Sequence, residues 1–183
     1  NTRWRDRHRR RDYNARPFFP AGHAAMALNP YDLYDIRSLL TEEEQAVQAC
    51  TIRLIREGVV QSAHDCSDGG LAVALAECCV SGADGPIGAV VQLALDGLRR
   101  DALLFGESQS RIVLSVKPEQ VDKVLSAARD AGVPASRIGV VGGSRLVIRV
   151  DGDQRVAGCT IDLEATTVHE RWALAIPRAL GQD

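Results

Sequence analysis

The chain has 183 residues, enough for one sizeable core and hardly for two. Its 45% hydrophobic and 25% charged content is that of an ordinary globular domain, and a formal net charge of -2 argues against nucleic acid or an anionic membrane surface as a partner of the whole chain. No apolar run reaches the roughly 18 residues a transmembrane helix needs, and no apolar stretch follows the basic start as in a signal peptide.

Residues 1–40 stand apart in composition. Seven arginines (Arg3, Arg5, Arg7, Arg9, Arg10, Arg11 and Arg16) crowd residues 1–16, and Pro17, Pro20 and Pro30 follow without a sustained helical or strand period. This N-terminal segment is expected to be a solvated or poorly ordered tail, or sequence from a gene junction, rather than a nucleic-acid arm. The chain starts at Asn1 instead of Met and reads as a fragment of a longer one.

From residue 41 the pattern becomes regular, and 41–183 is expected to be one α/β domain. Thr41 with Glu44 three residues on is a capping box, and Ala46, Val47, Cys50, Leu54 and Ile55 recur at helical spacing up to Gly58. A short strand over 59–63 follows. A helix over 71–80, apolar nearly all round, should be buried. Further strands are predicted over 89–95, 111–116, 138–141 and 146–150. A helix over 119–131 lies among them, with Val121, Val124, Leu125 and Ala128 on one face and Gly132 as its stop. Gly142-Gly143 reads as a hairpin turn, and a last helix over 167–180 carries Trp172 as a core residue, with Pro177 as a point of interruption. Alternating strands and helices with one hairpin predict a mixed sheet covered by helices.

Two polar clusters interrupt these elements. The first runs Ser62-Ala63-His64-Asp65-Cys66-Ser67-Asp68-Gly69-Gly70 into the apolar helix. Ser67 or Asp68 can cap that helix, the glycines permit close approach, and free N–H groups at the turn suit an anion. Asp65 and Asp68 add oxygen ligands of the kind Mg²⁺ shares with phosphates. The same residues also read as a plain helix start in which His64 fills space, and local physics leaves both readings open. The second cluster, Leu104-Phe105-Gly106-Glu107-Ser108-Gln109-Ser110-Arg111, offers carboxylate, hydroxyl and amide in succession, with Arg111 as an anion partner. Alone it also reads as a surface loop. His169, Glu170 and Arg171 read as a solvated helix face. The five cysteines (Cys50, Cys66, Cys78, Cys79 and Cys159) contain no CxxC pair, which predicts reduced thiols in a cytoplasm. P-loop, GxGxxG, GxSxG and HExxH motifs are absent.

Taken together, residues 62–77 and 104–111 resemble phosphoribosylformylglycinamidine synthase, the formylglycinamide ribonucleotide amidotransferase of purine synthesis, at the C-terminal end of its synthetase subunit. The resemblance runs from about residue 42 to about residue 180. It implies the fold of the aminoimidazole ribonucleotide synthetase C-terminal domain and, for the whole enzyme, an ATP-dependent ligation. ATP phosphorylates the amide oxygen of formylglycinamide ribonucleotide, and ammonia from a glutaminase displaces phosphate. It further implies Mg²⁺ and ATP or ADP as cofactors, with Asp65 as metal ligand and Ser67, Asp68, Gly69 and Gly70 at the nucleotide. Glu107, Ser108, Gln109 and Arg111 are implied at substrate or nucleotide phosphate. The remaining synthetase domains and the glutaminase are the implied partners, and neither nucleic acid nor membrane is expected. The family's catalytic histidine belongs to a domain this chain lacks, so no catalytic residue is expected here and the fragment should be inactive alone. Two alternatives stand beside this one. The first is another ATP-using member of the superfamily (aminoimidazole ribonucleotide synthetase, thiamine-monophosphate kinase or selenophosphate synthetase). The second is a non-catalytic assembly module.

Overall fold

The computed structural model describes residues 24–28, 41–152 and 156–182, the first of these by backbone alone. Apart from 24–28, the basic N-terminal segment read from the sequence lies outside the described residues. Within it, however, Ala24–Leu28 forms a strand, β1, where the sequence shows no strand period. The remaining elements in order are α1 (Glu42–Arg56), β2 (Val60–Asp65), α2 (Gly70–Val80), β3 (Ala89–Leu93), α3 (Arg100–Phe105), β4 (Ile112–Val116), α4 (Val121–Asp130), β5 (Ala135–Val141), β6 (Arg145–Val150), β7 (Cys159–Glu164), α5 (Ala165–Ala173) and α6 (Ala175–Ala179).

The strands form one sheet in the order β2-β4-β1-β5-β3-β6-β7. It is mixed, as expected, but not for the expected reason. β5 and β6 are not hairpin partners: β3 lies between them, antiparallel to β5 and parallel to β6. Gly142-Gly143 therefore carries the chain over the end of β3, where Gly142 N–H donates to Gly88 O and Gly88 N–H donates to Gly143 O, both at 2.8 Å. Gly88 leaves room for this, since a Cβ there would meet the Gly142 carbonyl at 2.8 Å. β7, which pairs antiparallel with β6, is not among the predicted strands, although Cys159-Thr160-Ile161-Asp162-Leu163-Glu164 alternates in the way a strand does.

Alternation along β4 shows how the core divides. Val113 belongs to one apolar cluster, while Leu114 and Val116 belong to another, so the sheet buries side chains on both faces. On the first face α2 supplies Leu71, Leu75, Cys78, Cys79 and Val80, all 2% exposed or less. On the second, Val47, Cys50 and Leu54 of α1 pack with Val121, Val124 and Ala128 of α4. The capping box starting α1 is present in both halves, Thr41 Oγ1 accepting from Glu44 N–H and Glu44 Oε2 from Thr41 N–H. α4 begins as a short 3₁₀ turn at Pro118–Gln120.

The C-terminal helix departs from expectation. It breaks at Leu174 into α5 and α6 rather than at Pro177, and Trp172 is 51% exposed instead of buried. His169 is half-buried, its Nδ1 3.2 Å from the Val80 carbonyl oxygen, so it ties α5 to the end of α2 rather than facing solvent.

Candidate functional site

The two polar clusters meet because β2 and β4 are antiparallel neighbours. Asp65, the last residue of β2, pairs with Ile112, the first of β4, and one step on the Cys66 N–H donates to the Arg111 carbonyl oxygen at 2.8 Å. The turn after β2 is thereby held against the segment entering β4. A third link crosses between them: Gly69 N–H donates to Glu107 Oε1 at 2.9 Å. This replaces the expected cap. Neither Ser67 nor Asp68 bonds the start of α2, whose N-cap is Gly69 with φ 77°, so the carboxylate of the second cluster serves the helix start instead.

Gly69 and Gly70 are required by conformation and by space. Both have positive φ, and a Cβ on Gly70 would lie 2.7 Å from the Phe105 carbonyl carbon and 2.8 Å from the Gly106 oxygen. The close approach of α2 to the end of α3 that these glycines allow brings Glu107 into reach. Ser110, with φ 57°, is one of two non-glycine residues found in the left-handed region among the described residues.

Around this junction opens a pocket of about 400 Å³. Asp65, Cys66, Ser67 and Asp68 line it from the first cluster. The second cluster lines it from Glu107 through Ser108, Gln109 and Ser110 to Arg111. Eight of these nine residues are polar. The structure thus brings Asp65, Ser67, Asp68, Glu107, Ser108, Gln109 and Arg111 together around one pocket. Gly69 and Gly70 are not in the wall: one N–H is taken by Glu107 and the other residue packs on backbone. Gln48 of α1 also lines the pocket. Sequence reading missed it, and a polar residue on an exposed helix face carries no signal that could have singled it out.

The charges differ in their surroundings. The Asp65 carboxylate is open to solvent, 69% exposed, beside His64, whose Nδ1 donates to the Asp65 carbonyl oxygen at 2.5 Å and whose Nε2 stands 3.3 Å from Glu77 Oε2. His64 therefore ties β2 to α2 and does more than fill space. Arg111 is only 5% exposed. Its Nη1 donates to the Leu103 carbonyl oxygen at 2.9 Å, its Nε has no hydrogen-bond partner, and burial pulls its pKa below the usual range. The thiol of Cys66 is 1% exposed, and burial pushes its pKa up to about 11, so it is a protonated wall atom and not a nucleophile. Among the described residues no group of three His, Cys, Asp or Glu side chains is placed to hold a metal ion. Asp65, Asp68, Ser67 and Ser108 bring to the pocket oxygen donors of the type a hard cation takes together with water and phosphate oxygens.

A family model described as the AIR synthase related protein, C-terminal domain, matches residues 32–151. The chain belongs to this family. It is 48% identical over 136 residues to the phosphoribosylformylglycinamidine synthase subunit PurL of Moorella thermoacetica, a match covering 74% of this chain and 17% of that protein. The chain thus spans about a sixth of the length of that relative. Thermotoga maritima PurL complexed with ATP has the same fold, with a TM-score of 0.66 at 18% identity over 85% of this chain and 27% of that one. The same PurL complexed with FGAR gives a TM-score of 0.62, also at 18% identity, over 85% of this chain and 29% of the other.

Proposed function

We propose that this chain is the last synthetase-type domain of a longer ATP-dependent ligase, one that converts formylglycinamide ribonucleotide to formylglycinamidine ribonucleotide in purine biosynthesis. The observation that carries the reading is the single pocket into which antiparallel β2 and β4 draw both polar clusters. The names of the relatives, and the ATP and FGAR complexes of the Thermotoga protein, supply the chemistry.

In this reading Asp65, with Asp68 beside it, holds Mg²⁺ at the rim. Ser67 and Ser108 donate to phosphate oxygens, and Gln109 and Glu107 position the bound nucleotide or ribonucleotide. Mg²⁺, when bound, offsets phosphate charge during phosphoryl transfer. Gly69 and Gly70 shape the turn rather than touch the ligand. In this reading the chain contributes binding and orientation, the reacting groups come from other domains, and the fragment is inactive by itself. The remaining synthetase domains complete the site, a glutaminase supplies ammonia, and the reaction takes place in the cytoplasm, where the five thiols stay reduced.

The test is a chimera. Residues 41–183 replace the matching stretch of the Moorella subunit, and the product is expressed in a purine auxotroph lacking the synthetase. Growth without purine is the expected outcome, and Asp65→Asn should reduce the nucleotide retained by the purified chimera. A soluble chimera that does not support growth overturns the reading.

A further inference from the structure

The turn that carries Asp65 into the pocket is braced from behind. His64 precedes Asp65 on β2 and is not among the residues that line the pocket. Its Nδ1 donates to the Asp65 carbonyl oxygen at 2.5 Å, and its Nε2 stands 3.3 Å from Glu77 Oε2. The same peptide unit is held at its other polar end, where the Cys66 N–H donates to the Arg111 carbonyl oxygen at 2.8 Å. A peptide is planar, so bonds to both its oxygen and its hydrogen fix the plane, and with it the backbone on which the Asp65 side chain stands. That carboxylate is 69% exposed, so packing does little to aim it and the backbone beneath it does more. Glu77 is a firm anchor for the brace. It rides on α2, where its neighbours Leu75 and Cys78 are buried in the core. The His64–Glu77 contact thus bridges from the end of β2 to α2, across the turn that holds Ser67 and Asp68.

We propose that His64 is the positioning residue for the metal ligand of this pocket. Held by Glu77, it fixes the peptide that follows Asp65 and so the direction in which the Asp65 carboxylate meets a divalent cation. This rests on the reading of Asp65 as an Mg²⁺ ligand, and it gives His64 and Glu77 a part in that site although neither touches the pocket. Groups that orient a metal ligand from behind change metal affinity by roughly ten- to a hundredfold when removed, because a ligand left to find its own orientation binds more weakly.

The test uses this chain with Mn²⁺ as the probe, read by paramagnetic broadening of backbone amide signals. In the parent, the signals of residues 65–68 should broaden first as Mn²⁺ is added. His64→Ala should raise the Mn²⁺ concentration needed for the same broadening roughly tenfold or more. His64→Asn keeps a nitrogen donor near the place of Nδ1 and should recover part of that loss. Glu77→Ala removes the anchor and should also weaken Mn²⁺ binding, from a residue outside the pocket. Glu77→Gln loses the charge but keeps an acceptor oxygen, and should bind Mn²⁺ nearly as the parent does. This pair separates position from charge, since a Glu77 that acted only by its charge would give equal losses in both variants. Melting temperatures are followed alongside. A merely structural His64 would lower the melting temperature of His64→Ala and leave its Mn²⁺ affinity unchanged. Should His64→Ala fail to fold, the two Glu77 variants decide. The proposal is overturned by a parent whose pocket signals do not broaden selectively, by unchanged affinity in a folded His64→Ala, or by Glu77→Gln and Glu77→Ala binding Mn²⁺ alike. An inactive chimera together with Mn²⁺ binding that depends on His64 would sink the ligase reading and leave this assignment standing. An active chimera with Mn²⁺ binding indifferent to His64 would do the reverse.

Discussion

The backbone N–H of Gly69 donates to Glu107 Oε1 at 2.9 Å, joining the start of α2 to the loop that follows α3. This bond does the work expected of Ser67 or Asp68, and it turns two separate stretches of sequence into one wall.

Removing the acceptor tests that role. Glu107→Ala should lower stability by about 1 kcal/mol, the scale of an exposed hydrogen bond to a charged group at a helix start. Glu107→Gln keeps an acceptor oxygen and should lose less. Urea unfolding with an unchanged m-value would read the difference, and equal stability of the two variants and the parent would show the bond to be idle.

Gly70 and Gly132 separate steric from conformational demand. Both have positive φ, but a Cβ at Gly132 meets nothing within 4 Å, whereas at Gly70 it strikes the Phe105 backbone at 2.7 Å. Gly132→Ala should cost about 1 kcal/mol and Gly70→Ala roughly 2–4 kcal/mol. Only the Gly70 variant should also disturb the pocket, visible as amide shifts in residues 105–110.

Buried and exposed apolar residues should respond unequally. Leu75 is fully buried, and Leu75→Ala should cost about 2–5 kcal/mol. Ile176 is 72% exposed, and Ile176→Ser should change stability by less than about 0.5 kcal/mol. Trp172→Ala should fall well short of the roughly 3–5 kcal/mol seen for buried tryptophans. A cost in that range would restore Trp172 to the core.

Burial also protects thiols. The pKa of Cys66 is pushed up to about 11 and that of Cys79 to about 12, with Cys78 raised for the same reason. At mildly alkaline pH the half-buried Cys159 should react first with a thiol reagent, and Cys66, Cys78 and Cys79 only as the chain unfolds. The sign of the linkage follows from the raised values. Unfolded thiols ionise near about pH 8.5, so the stability tied to these groups is intact below that pH and is lost as pH rises toward about 11. A melting temperature that holds flat from pH 8 to 11 would contradict it.

Much was legible in the chain itself. The Thr41–Glu44 box starts α1, and the apolar helix from Leu71 is buried, because capping and periodicity are local properties that neighbours in sequence enforce. The 62–70 and 104–111 clusters contain nine of the ten residues that line the pocket, although local physics left each of them open to a plainer reading. Three matters were decided only in three dimensions. Gly142-Gly143 looks like a hairpin turn, but β3 enters between β5 and β6, and no local signal tells a strand which partner will take its edge. Trp172 has the composition of a core residue, but burial depends on what lies over α5, and nothing among the described residues covers the indole beyond about half. Asp68 has the chemistry of a helix cap, but Glu107 takes its place, because tertiary packing of Gly70 against Phe105 brings that carboxylate within reach of the Gly69 amide. Sequence alone determined α1, α2, α4 and the strands from β2 to β6, and set polar residues at the ends of β2 and α3, because caps and apolar periods are local. Strand order and the close approach of α2 to α3 decided which of those residues share a pocket, and left Arg111 inside it with its charge unpaired.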